Sequence, residues 1–204
     1  MSTVFSSALV DTAEHHALLR DSVGKLAGHF GRRYFQDLVK RQAKPDELWQ
    51  ALGEAGYLGV HVPEKYGGGG SGLADYNVIV EEVAAQGCPI LSLVINSICS
   101  PIIEQHGSES LKQSWLPGLA SGKNRLSFAI TEPNAGTNTH KITTTARQEG
   151  QDWVIQGNKY WTSGLDEADS VMVVCREEKA DDRGRHPLSL FIVPAQHQIG
   201  RAHV

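Results

Sequence analysis

A change of period constrains this chain more than any other feature. Up to Gly122 the apolar residues recur at helical spacing; from Arg125 they fall into short β-branched runs separated by turn residues. A chain of 204 residues with that switch is expected to be α+β. The expected domains are an all-α helical domain over residues 1–123 and an antiparallel β domain over residues 124–204.

In the first part, Ala13, Ala17, Leu18, Val23, Leu26, Ala27 and Phe30 predict a helix over Asp11 to Phe30, with a broken continuation over Arg32 to Gln42. Pro45, Asp46 and Glu47 form a helix start, because proline suits the first turn and acids suit the positive helix end. Tyr66 to Gly72 lacks the Gly-Lys-Ser/Thr of a phosphate cradle and reads as a flexible linker. Leu73 to Gln86 predicts an amphipathic helix, and Pro89 to His106 an almost wholly apolar, buried one. Pro101 is positioned to kink the latter. Ser92 and Asn96 lie four apart on one face of it, where packing with local hydrogen bonds is the plain expectation. Ser108 caps a last helix, Leu111 to Ala120, which Gly122 ends.

In the second part, strands are predicted at Leu126 to Ile130, Ile142 to Gln148, Trp153 to Gln156, Lys159 to Thr162, Val171 to Arg176 and Leu188 to Val193. The first opens into Phe128-Ala129-Ile130-Thr131-Glu132-Pro133-Asn134-Ala135-Gly136-Thr137, a loop of hydroxyl, carboxylate and small residues. Trp161-Thr162-Ser163 follows on a later strand. Loop amides and hydroxyls beside an indole face suit a flat ligand with polar edges, while a β-turn and a core tryptophan would account for either motif alone.

These two motifs, the second extended as Gly157-Asn158-Lys159-Tyr160-Trp161-Thr162-Ser163-Gly164, resemble the FAD and substrate signature of the acyl-CoA dehydrogenase family. Leu52 to Gly59, Val62 to Gly68 and Glu81 to Ala84 carry further likeness. The resemblance implies α,β-dehydrogenation of an acyl-CoA thioester, with hydride transfer to flavin N5. It implies an electron-transfer flavoprotein or similar acceptor and a tetrameric parent. It places Phe128, Ile130, Thr131, Gly136, Thr137, Trp161, Thr162 and Ser163 at the cofactor, with Trp161 on the ring face and Ser163 near N5. Thr137 would also contact substrate, and Ser92 and Asn96 would line the end of the acyl-chain tunnel. Asn134 stands where the family commonly has Gly, Asn138 where it has Asp, and Ser163 where it has Thr. Glu132 is expected to orient its loop and not to act as the base. The family's base is a glutamate in a C-terminal helical domain outside this sequence, so no catalytic residue is assigned and the fragment is expected to be inactive. A monooxygenase or oxidase of the same fold, or a non-catalytic interaction fragment, are the alternatives.

Net charge of -4 argues against non-specific nucleic-acid binding. Cys88, Cys99 and Cys175 are far apart and without a Cys-x-x-Cys pair, so buried reduced thiols in a cytoplasmic protein are expected, with no metal site. No stretch has the length and apolarity of a membrane span, and Met1 to Val10 lacks the pattern of a secretory signal. Ile199 to Val204 can be encoded by a common sequencing adapter and is expected to be non-native read-through. Without a C-terminal domain, an exposed apolar face and self-association are expected.

Overall fold

The structure, a computed structural model, describes residues 3–195, with side chains described from residue 14. Ile199 to Val204 therefore lie outside the described residues. The chain forms two compact units, residues 1–124 and 125–204.

The first unit is helical: α1 (Thr3–Arg41), α2 (Asp46–Glu54), α3 (Leu73–Ala85), α4 (Leu91–His106) and α5 (Glu109–Ser121). The break expected between two N-terminal helices is a kink in α1 at Gly31, whose φ of 68° only glycine adopts without strain. The core is built from Val23 and Ala27 of α1, Leu48, Trp49 and Leu52 of α2, and Tyr76, Ile79 and Val83 of α3. Polar staples hold the helices around it. Trp49 donates its indole N–H to the carbonyl of Gly122 (2.9 Å), and Arg20 pairs with Glu81 (2.6 Å). The side chain of Ser108 caps α5 by accepting from the Leu111 amide, and Gly122 ends that helix in the left-handed region.

The glycine-rich segment is not a flexible linker. Its amides at Gly69, Gly70 and Ser71 donate to the carbonyls of Gly59, Val62 and Val60. A Cβ on Gly68 would meet the Val62 carbonyl oxygen at 2.0 Å. The glycines let two stretches of backbone pack against each other, a role that composition alone does not reveal.

The second unit is a five-stranded sheet: β1 (Leu126–Ala129), β2 (Thr145–Glu149), β3 (Asp152–Gln156), β4 (Ser170–Glu177) and β5 (Leu188–Pro194). The sheet is mixed. β2–β3 and β4–β5 are antiparallel, whereas β1–β4 and β2–β4 are parallel. β4 is the central strand, buried from Ser170 to Cys175, as its unbroken apolar run requires. Val171, Val173 and Cys175 pack with Ala129 and Ala146 in one cluster. Val174 belongs to another, with Ala135, Ile142, Phe128 and Ile130. Cys88, Cys99 and Cys175 are free and buried, and burial pushes the Cys99 and Cys175 thiols up, to about 12 and about 11. Among the described residues no helix is long and apolar enough to cross a membrane.

Candidate functional site

β5 pairs with β4 along its length, from Ser170 to Arg176, so it occupies one edge of that strand. β1 and β2 must then share the other edge, β1 at Ser170 to Val173 and β2 at Arg176 and Glu177. Residues 130–144 leave the sheet at the end of β1 and rejoin it at the start of β2. This excursion holds Ile130, Thr131, Gly136 and Thr137 of the sequence-predicted site.

Its near end is a tight turn in which the Glu132 amide donates to the Ala135 carbonyl and the Ala135 amide returns the bond to Glu132 (3.0 and 3.1 Å). Its far end is held by Arg176, whose guanidinium donates to the carbonyls of Ile142 (3.0 Å) and His140 (2.8 Å). Asn138 accepts from the His140 amide through its side chain, which the family's usual Asp would also do.

Glu132 sits at the centre, 4% exposed, in a ring of donors. It accepts from the Thr143 amide and hydroxyl (both 2.7 Å), the Thr144 amide (2.9 Å) and Lys159 Nζ (2.8 Å). Burial alone would raise its pKa. The hydrogen bonds from Lys159, Thr144 and Thr143 outweigh burial and hold the carboxyl well below the usual carboxylate range. A carboxylate so buried and so fully accepting is a structural group and a poor proton acceptor.

Residues 157–163 lie against β1 and this loop through three ties. The Tyr160 amide donates to the Thr131 carbonyl (2.8 Å), Lys159 Nζ to the Ile130 carbonyl (3.0 Å), and the Ser127 hydroxyl to the Ser163 carbonyl (2.7 Å). These ties replace the ladder expected for Lys159 to Thr162, and no strand forms there. Likewise Thr143 and Thr144 spend their amides on Glu132, so β2 begins at Thr145 and not at Ile142.

Phe128 and Ile130 are half-buried in the apolar cluster with Val174, and Thr131 and Thr162 are half-buried beside it in sequence. Gly136, Thr137 and Ser163 are exposed. Trp161 is the exceptional residue. Its indole is 85% exposed, and its backbone holds a φ of 60°. For a bulky residue that conformation costs about 1–3 kcal/mol, and an exposed indole adds no burial to offset it. A Cβ on Gly136 would meet nothing within 4 Å, so no internal contact requires glycine there. A strained, presented indole beside a loop with open space is an arrangement for a flat ligand.

Ser92 and Asn96 belong to the helical unit and are buried in α4. Asn96 donates to the Leu58 carbonyl (3.0 Å) and the Tyr76 hydroxyl (3.4 Å), so its amide ties elements together. The exposed apolar side of α4 carries Leu91, Val94 and Ile98 instead. Sequence reasoning passed over Lys159 and Ser127 as site residues. The lysine directly before Tyr160 and Trp161 is the local signal for the first.

Comparison with known proteins adds the following. The family model for the acyl-CoA dehydrogenase N-terminal domain matches residues 13–123, and that for the middle domain matches residues 127–203. The chain is 42% identical over 189 residues to acyl-CoA dehydrogenase FadE12 of Mycobacterium tuberculosis, covering 92% of this chain and 48% of the relative. A crystal structure of an acyl-CoA dehydrogenase from Geobacillus kaustophilus superposes with a TM-score of 0.79 at 32% identity, covering 89% of this chain and 48% of that one. An acyl-CoA dehydrogenase complexed with FAD from Bacillus anthracis superposes with a TM-score of 0.74 at 27% identity, covering 90% of this chain and 31% of that one. The chain thus spans about half the length of the curated relatives it matches.

Proposed function

This chain belongs to the acyl-CoA dehydrogenase family, and from that premise we propose that it supplies the helical and flavin-facing portions of an FAD-dependent enzyme that oxidises the α–β bond of an acyl-CoA thioester. The observation that carries the proposal is Trp161, held at positive φ with its indole 85% exposed next to the 130–137 loop. FAD, when bound, supplies a hydride acceptor at N5.

The chain's own groups would hold that ring. The Trp161 indole covers one face. The Thr131 hydroxyl or amide and the Ser163 hydroxyl offer hydrogen bonds to its polar edge. Phe128 and Ile130 give the site an apolar floor, and the open space at Gly136 admits a bulky group close to the backbone. Thr137, which is exposed, would contact a phosphate or the CoA moiety. Ser92 and Asn96 are buried in α4, and lining the end of the acyl-chain tunnel is the role proposed for them.

The proton at the substrate α carbon requires a base within hydrogen-bond reach. Glu132 is not that base, because its oxygens are taken up by Thr143, Thr144 and Lys159. The proposed base is a glutamate in a C-terminal half of the family type, and the proposed acceptor is an electron-transfer flavoprotein or similar carrier.

The test is an assay of the full-length product encoded by the gene, reconstituted with FAD and supplied with acyl-CoA esters of varied length and an artificial electron acceptor. Reduction of the acceptor that depends on both FAD and acyl-CoA supports the proposal. A flavin-loaded protein that reduces no acceptor with any ester refutes it.

A further inference from the structure

We propose that Lys159 is a positioning residue for the flavin. It fixes the register between the two segments that present their edges to the ring. The inference rests on the flavin reading above.

Lys159 comes from the second segment, yet both acceptors of its ammonium lie on the first: the Ile130 carbonyl at 3.0 Å and Glu132 Oε1 at 2.8 Å. Its side chain is 10% exposed and that of Glu132 is 2% exposed, so the pair is shielded from water and its geometry is tightly constrained. Glu132 in turn holds Thr143 and Thr144, at the start of β2. A single ammonium therefore couples three stretches of chain: 130–132, 143–144 and 157–163. Ile130 and Thr131 belong to the first stretch, and Trp161 and Ser163 to the last. Phe128, Ile130 and Thr131 are thus within two residues of a lysine contact, and Trp161 and Ser163 are two and four residues from Lys159 itself.

The other ties do not substitute for it. The Tyr160–Thr131 bond joins backbone to backbone and reaches neither Glu132 nor the start of β2. The Ser127–Ser163 bond fixes only the far end. The chain is also shaped to bring Lys159 close. A Cβ on Gly157 would sit 2.3 Å from Thr144 Oγ1 and 2.6 Å from Thr144 Cα, so that glycine admits the approach two residues before the lysine. The charge is balanced within the pair, and the arrangement adds no net charge to the site. Its effect on the ring is geometric.

The test uses the full-length product of the gene and FAD itself. Wild type is titrated first by flavin absorbance and fluorescence; saturable binding is the requirement of the flavin reading, and its absence overturns that reading and this inference with it. Two variants follow. K159R keeps the charge that Glu132 needs but replaces the compact ammonium by a broader planar group. The double variant K159M/E132Q removes both charges, so no buried carboxylate is left unpaired. The expected result for each is FAD affinity at least tenfold weaker than wild type and a shifted flavin absorption band, with far-UV circular dichroism unchanged. The band position reports the ring's surroundings and would not move if Lys159 merely stabilised the fold. Wild-type affinity with an unshifted band, in whichever of the two variants folds, overturns the inference. If neither folds, the amide-exchange rate of Tyr160 in wild type decides: slowing on FAD addition is expected, and an unchanged rate overturns it.

Discussion

Single residues separate what the fold needs from what a ligand needs. Gly136 and Gly157 are the clearest pair. A Cβ at 157 collides with Thr144 at 2.3 Å, whereas a Cβ at 136 meets nothing within 4 Å. Gly157→Ala should therefore lower stability by about 1–3 kcal/mol, the usual cost of overpacking. Gly136→Ala should leave the thermal midpoint unchanged and weaken FAD binding roughly tenfold, since a clash of about 1.4 kcal/mol is felt only with the ring in place. Equal effects of both on the melt would contradict the assignment of Gly136. Trp161→Gly relieves about 1–3 kcal/mol of left-handed strain, partly offset by about 0.5–1 kcal/mol of added chain entropy. A gain of about 1 kcal/mol in urea unfolding is expected, and a clear loss would show that the indole serves the fold. At this scale the sequence was informative where chemistry is local. Thr131, Gly136, Trp161 and Ser163 stood out by motif. Lys159 and Ser127 did not, because their partners Glu132 and Ser163 lie 27 and 36 positions away and only the folded chain brings them together.

At the scale of elements, helices were more legible than loops. The core-facing positions Val23, Leu26, Ala27 and Phe30, the Pro45 start and the Ser108 cap correspond to observed ends or faces, because each depends on neighbours within one or two turns, whereas Ala17 and Leu18 of the same pattern are exposed. The glycine segment and Lys159 to Thr162 were misread because their backbone partners are remote: Gly59 to Val62 for one, Thr131 for the other. One tie between elements gives a pH dependence. His61, in the stretch after α2, contacts the hydroxyl of Ser100 in α4, which itself donates to the Asn96 carbonyl. Burial pulls the His61 pKa from 6.5 down to about 4, opposed by its contact with the Asn96 backbone. The unfolded chain then binds a proton below 6.5 that the folded chain refuses until about 4. The stability tied to neutral His61 is complete above 6.5 and is lost as pH falls towards 4, by at most about 3 kcal/mol. Urea unfolding followed at 222 nm should show this slope in wild type and a shallower one in His61→Gln; identical slopes would contradict the burial argument.

At the scale of the whole molecule, both units expose apolar groups of unusual size. The helical unit exposes Leu91 (51%), Val94 (41%) and Ile98 (38%) along one helix, and the β unit exposes Trp161 (85%), Tyr160 (47%), Trp153 (40%) and Leu190 (41%). The matched relatives are about twice as long, and surfaces of this kind are what a further domain would cover. The isolated chain should self-associate with rising concentration in sedimentation velocity, and a strict monomer at high concentration would contradict that expectation. The α+β architecture was legible because the switch of period at Arg125 is a property of the whole chain. The parallel pairing of β1 and β2 with β4 was not, because strand order follows from where the 130–144 excursion is tied down. The central claim is that the 130–137 loop and Trp161 together hold a flavin. Its most direct measurement is titration of the full-length product of the gene with FAD, followed by indole fluorescence in wild type and Trp161→Gly. Saturable quenching in wild type, and its loss in a variant that is still folded, is the predicted result. Absence of saturation in wild type, or equal saturation in both, would contradict the claim.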